Sequence, residues 1–320
     1  MGRVQWQAPG STLSEREASV TKKPAVSLAA VPGRRQRTLE LAQEIERRGF
    51  SGIYCPSFGD GLSLCLGIAF STKEIRFGTS IAHIYTRHAS EFAHTASWIH
   101  EISGGRFDFG VGVSHGPVHA QLGIEVGKPL ADMRSFVERV RAAPRAGDLP
   151  LIVLATLRKR MVQLAGEVGD GVVWANGARS HMAESLSHLP AEKRGSAGFF
   201  VGDMLPTCIS DDKAAAAAVM RRTLIGYANL PNYQNYWIEA GYEEEMRAIR
   251  DAIKAGDMDR VPSLMSDRWL EDVTLFGSAA EVREGLQRWY DAGVKTPILV
   301  PSSTEGGQMR AFEELFAAFE

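Results

Sequence analysis

Eight short runs of near-continuous apolar residues recur along the chain. Longer stretches separate them, in which apolar positions return every three or four residues. The runs are AVSLAAV (25–31), GIYCP (52–56), IRFGTSI (75–81), RFDFGVGV (106–113), PLIVLAT (150–156), DGVVWAN (170–176), MLPTCIS (204–210) and TPILVPS (296–302). A strand covered on both faces reads as an unbroken apolar run, and such strands parted by helices build a parallel sheet. Eight of them predict a closed (β/α)8 barrel of the TIM type, class α/β.

The intervening helices are legible in the same way. RRQRTLELAQEIERRGF sets Leu41 and Ile45 one turn apart and stops at Gly49, while RKRMVQLAGEVGDG stacks Met161, Leu164, Ala165 and Val168 on one face. SAAEVREGLQRWYDAGV opens on Ser278 as an N-cap, aligns Val282, Leu286 and Trp289, and ends at Gly293. The interval from Asp211 to Phe276 is too long for one crossover. It holds an alanine-rich helix (213–229), the aromatic cluster LPNYQNYWIEAGYEEE and a helix through MRAIRDAIKAGD, so a helical insertion follows the seventh strand. With no linker or repeat between 24 and 320, that span is expected to be one domain, with residues 1–23 a disordered tail.

Composition narrows the class. The chain has 320 residues, of which 44% are hydrophobic, and a net charge of −2. This balance suits a soluble globular protein with ample core and gives no electrostatic reason to expect nucleic acid as a partner. No apolar run is long enough to cross a bilayer, and the N-terminus lacks the apolar core of a secretory signal. Cys55, Cys65 and Cys208 form no CxxC and no even framework, which fits a reducing cytoplasm.

Candidate chemistry centres on SGGRFDFGVGVSHGP, Ser103 to Pro117. A dinucleotide fingerprint needs its third glycine three positions after the second, but Gly116 comes four after Gly112, so that reading fails. At the C-terminal end of a barrel strand, by contrast, Gly112, Val113, Ser114 and His115 face the site, and glycine lets a ligand approach the backbone. Ser114 and the following amides suit an anion. His115 and His119 stand i, i+4, but Pro117 lies between them and no third ligand has sensible spacing, so no metal is expected.

Several segments, in order, resemble the luciferase-like monooxygenase family of flavin- and deazaflavin-dependent barrels. They are ISGGR followed by a strand ending GVG and a histidine, RFGTSIAHIYTRHASEFAHTASWIHEISGGRF, MVQLAGEVGDGVVWANG, LPNYQNYWIEAGYEEE and LFGSAAEVREGLQRWYDAGVKTPILVP. The similarity spans about residues 25 to 302. It implies a barrel that binds coenzyme F420, or alternatively FMN, at its C-terminal mouth, acts on a small-molecule substrate and forms a homodimer.

The resemblance also implies positions. A non-prolyl cis peptide closes the family's third strand, and the matching bond here is Ser80–Ile81, behind the cofactor's central ring with Thr79. Gly112, Val113 and Ser114 flank the ring from strand four. The loop after strand five, ATLRKRM, matches the cofactor-phosphate site, with Leu157, Arg158 and Lys159, although Arg158 stands where the family commonly has glycine. After strand two, several deazaflavin members carry an Asp-His pair. Here CPSFGD puts Ser57 and Phe58 there, with Asp60 nearby, which disfavours alcohol dehydrogenation because that needs a base for the hydroxyl proton. His115 and then His83 are the candidates for proton handling.

The expected activity is hydride transfer between F420 and an organic substrate. With FMN, oxygen insertion is the alternative, and a non-catalytic flavin-binding barrel is the reading of another class.

Overall fold

The computed structural model describes residues 23–57 and 59–320. The expected tail, Lys23 excepted, and Phe58 lie outside them. Eight parallel strands close a barrel: β1 (Ala25–Ser27), β2 (Gly52–Cys55), β3 (Arg76–Thr79), β4 (Phe107–Gly112), β5 (Leu151–Ala155), β6 (Gly171–Ala175), β7 (Phe200–Ile209) and β8 (Thr296–Ser302). Each pairs with the next, and β8 closes the ring on β1, with Ala25 opposite Ile298. This is a (β/α)8 TIM barrel, as the apolar runs predict.

Helices cover the outside in sequence order. They are α1 (Arg35–Arg47), α2 (Gly61–Ser71), α3 (Ala89–Ile102), α4 (Gly116–Leu122), α5 (Pro129–Arg141), α6 (Lys159–Val168), α7 (Met182–Ser187) and α8 (Ala191–Gly195). Between β7 and β8 come α9 (Lys213–Ala228), α10 (Pro231–Glu239), α11 (Glu243–Lys254), α12 (Asp267–Val273) and α13 (Ala279–Asp291), and α14 (Gln308–Ala318) ends the chain. Ser278 and Glu281 form a reciprocal capping box at the start of α13.

Alternation along the strands makes two cores. Side chains pointing outward, such as Phe77, Phe109, Leu154 and Val172, meet the helices. Those pointing inward, including Tyr54, Val153, Val173 and Ile298, fill the barrel axis. Helices α9 to α12 bury a third cluster around Tyr236, Trp237 and Trp269, with the two indoles at 4.8 Å edge to face.

Three strand glycines position the site. A Cβ on Gly78 would overlap the Asp108 carbonyl, one on Gly110 the Thr79 carbonyl, and one on Gly112 the δ-methyl of Ile81. β3 and β4 therefore approach more closely than any side chain allows.

Candidate functional site

The barrel's C-terminal mouth opens into a cavity of about 700 Å³, and the sequence-predicted residues gather there. Ser80, Ile81 and His83 reach it from β3, Val113, Ser114 and His115 from β4, and Leu157, Arg158 and Lys159 from β5. Thr79 and Gly112 do not line it. The Thr79 hydroxyl donates to the Gly110 carbonyl at 2.7 Å, tying β3 to β4. Gly112 makes room for Ile81 rather than for a ligand, so its contribution is to set where Ile81 stands.

The third strand ends as expected in a cis Ser80–Ile81 peptide. Ser80 N–H donates to the Cys55 carbonyl at 2.7 Å, and the chain pairs again with β4 at Ala82 and His83. Ser114 then turns with φ of 63° and Asn176, after β6, with φ of 56°. Left-handed backbone is uncommon outside glycine and concentrates at functional sites.

Among the described residues, three buried hydroxyls that line the cavity have no partner in the protein: Ser80 Oγ, Ser114 Oγ and Thr156 Oγ1. They sit at the tips of β3, β4 and β5 in turn. Such groups are costly to bury unpaired, so a cluster of them facing one cavity marks a surface shaped for a polar ligand. Ile81, Val113, Ala155, Val173 and Met204 supply apolar wall between them. Apolar wall edged by hydrogen-bonding groups fits the ring of a flavin or deazaflavin.

Charge is arranged at the rim. Arg158 caps α6 without a side-chain cap bond, and Lys159 and Arg160 follow, their amides among the first-turn donors that no helix carbonyl satisfies. The residues thus fit a phosphate, through both cations and amides.

The imidazoles of His83, His115 and His119 form a cluster. Burial holds His115 below its ordinary pKa of 6.5, and the neighbouring His83 and His119 act in the same direction. Burial, then His119, lowers His83 likewise. His119 Nε2–H donates to the Val113 carbonyl at 2.6 Å, which fixes that ring beneath the Ser114 turn. His115 meets the ring of Tyr233 edge to face at 5.7 Å. Neutral imidazoles in the cavity can accept protons at neutral pH.

Asp60 is already committed. It caps α2 through Ser63 N–H at 3.2 Å and pairs with Arg87 at 2.8 Å, and it does not line the cavity, so it does not replace an Asp-His pair. Ser57 does line the cavity.

Sequence reasoning did not single out Thr156, Asn176, Tyr227, Tyr233 or Glu239. Tyr233 carried a faint signal, because Pro231 opens a helix whose Tyr233, Tyr236 and Trp237 share one buried face. Both phenols, Tyr227 and Tyr233, approach the Asn176 amide, and burial raises the pKa of each.

Comparison with known proteins agrees with this architecture. The family model for luciferase-like monooxygenases matches residues 16–296. A Mycobacterium tuberculosis protein, provisionally named a coenzyme F420-dependent oxidoreductase, is 24% identical over 84% of this chain and 92% of its own length. The 5,10-methylenetetrahydromethanopterin reductase of Methanolobus tindarius is 24% identical over 79% and 86%. Among solved structures, the coenzyme F420-dependent tetrahydromethanopterin reductase of Methanopyrus kandleri superposes with a TM-score of 0.73 at 17% identity, covering 92% of this chain and 97% of that one.

Proposed function

Since this chain belongs to the luciferase-like monooxygenase family, we propose that it is an oxidoreductase passing hydride between coenzyme F420, or FMN in its place, and a small organic substrate. The observation that carries this reading is the ring of unpaired buried hydroxyls at successive strand tips around one cavity. The cofactor, when bound, supplies the hydride-carrying carbon or nitrogen of its central ring. Ile81 and Val113 would hold that ring, and Ser80, Ser114 and Thr156 would bond its polar edge. Arg158, Lys159 and the first amides of α6 would receive its phosphate. His115 would take up or return the substrate's proton at a ring nitrogen, with His83 beside it.

The relative named for F420 supports the deazaflavin over FMN. Exposed Phe70 on α2 and Trp98 on α3 support a homodimer joined across those helices, which sedimentation tests. Among the described residues no helix is long and apolar enough to cross a membrane.

Fluorescence titration of the purified chain with F420 and with FMN tests the reading. Micromolar binding of F420, with reversible bleaching of its absorbance by a hydride donor, is the expected result. Binding of neither cofactor removes the proposal. Binding of reduced FMN with oxygen consumption moves it to oxygen insertion.

A further inference from the structure

An ion pair bridges the cavity rim, and nothing in the hydride chemistry calls for it. Arg158 Nε donates to Glu239 Oε1 at 2.9 Å, and Nη2 donates to the same oxygen. Both residues line the cavity, and among the described residues Glu239 is the one carboxylate that does so. They come from different parts of the fold. Arg158 precedes α6 on the barrel, whereas Glu239 is the last residue of α10 in the insertion. α10 also carries Asn232 and Tyr233, which wall the same cavity.

The place where this carboxylate sits is built for an anion. Arg158, Lys159 and Arg160 are consecutive at the N-terminus of a ten-residue helix, and Thr156 Oγ1, on a residue 6% exposed, is unpartnered in the cavity beside them. The carboxylate meets one of the cations but neither the hydroxyl nor the amides. Both partners of the pair are about half exposed, at 48% and 41%. Exposed pairs are weak, and a phosphate with more charge and more acceptor oxygens exceeds a single carboxylate.

We propose that Glu239 is an internal competitor for the cofactor's phosphate. Its carboxylate holds Arg158 while the anion site is empty and yields the guanidinium when a phosphate arrives, untying the end of α10 from the barrel. The inference rests on the cofactor reading given above and adds a coupling to it. Filling the phosphate site frees the C-terminal end of α10 at the cavity rim, while Trp237 and Tyr236 keep the rest of the helix bonded to the loop after β6. The same carboxylate disfavours highly charged anions at that rim.

The test uses the full chain, wild type and Glu239→Gln, titrated with FMN, with riboflavin, which has the same ring and no phosphate, and with inorganic pyrophosphate followed by thermal shift. Losing an exposed pair of this kind corresponds to about a two- to fivefold change. Glu239→Gln is expected to tighten FMN and pyrophosphate by that factor and to leave riboflavin unchanged. In an Arg158→Ala background the gain should fall below about 1.5-fold, because the contested cation is gone. Equal tightening of riboflavin and FMN would show that the substitution merely widens the cavity, and weakening of all three would show that the pair is a structural tie. Either outcome overturns the competitor, as does no change in FMN and pyrophosphate. Failure of the wild type to bind FMN or F420 would instead sink the cofactor reading, with pyrophosphate still deciding the role of Glu239.

Discussion

The two ends of the barrel keep their polar side chains in different company. At the N-terminal end, Tyr54 Oη donates to Asp108 Oδ2 at 3.0 Å and Arg76 pairs with the other carboxylate oxygen, although Asp108 is almost fully buried. At the C-terminal end, Ser80, Ser114 and Thr156 end in buried hydroxyls with no partner among the described residues. β3 and β4 carry members of both sets. A buried network that is complete within the protein holds the fold together, whereas an incomplete one at a cavity points to something the protein receives. The difference teaches which end to perturb for stability and which for binding.

The largest effect should come from the layer between the two ends. Gly110→Ala sets a Cβ against the Thr79 backbone carbonyl, which cannot rotate aside as a side-chain terminus can. Overpacking against backbone falls at the upper end of the usual range, about 3 kcal/mol, so chemical denaturation should show that loss, and cofactor binding should vanish with the displaced β3 end. Gly112→Ala meets the end of Ile81 first and the Ala155 Cβ at 3.0 Å, and a smaller loss of stability with a comparable loss of affinity is expected.

Next is the paired end. Asp108→Ala leaves the buried Tyr54 hydroxyl without an acceptor, while half-exposed Arg76 can turn to water. A loss of about 2–3 kcal/mol is expected, with cofactor affinity of the folded protein within about twofold of wild type. A large change in affinity at constant stability would break the division between the ends.

The third prediction concerns pH. The folded chain resists protonating His115, while the unfolded chain takes that proton near the ordinary 6.5. Stability contributed by the neutral ring is therefore complete above pH 6.5 and declines as pH falls below it, until the folded group protonates too. His115→Asn should flatten that slope in denaturation curves measured from pH 7.5 down to 5. In turnover, the acidic limb of kcat/KM should have its midpoint below 6.5 in the wild type and disappear in the variant.

The barrel was legible because strands covered on both faces leave apolar runs that composition alone cannot hide. Boundaries failed where a polar residue is buried. β7 starts at Phe200, four residues before MLPTCIS, because Gly202 and Asp203 interrupt the apolar run. Asp203 is fully buried, accepts from Gly177 N–H at 3.4 Å, and burial raises its pKa well above the carboxylate range. A sequence pattern assigns such a residue to the surface. The rim positions were legible through their order along the chain, but their divisions of labour were not. Gly112 serves Ile81 and Thr79 serves the Gly110 carbonyl, relations between strands that neither strand's own sequence displays. Glu239 and Tyr233 enter the cavity from 80 residues downstream of β5 or so, through an insertion whose packing depends on its own core.

The most direct measurement is on Thr156→Val, a substitution of nearly equal shape that deletes one unpaired hydroxyl and nothing the fold uses. Thermal unfolding and F420 or FMN titration are made on the same preparation. The account predicts a Tm unchanged or slightly higher and an affinity weaker by about fivefold, the worth of one hydrogen bond. A lowered Tm with unchanged affinity would contradict it, placing that hydroxyl in the framework and leaving the cavity rim without its defining feature.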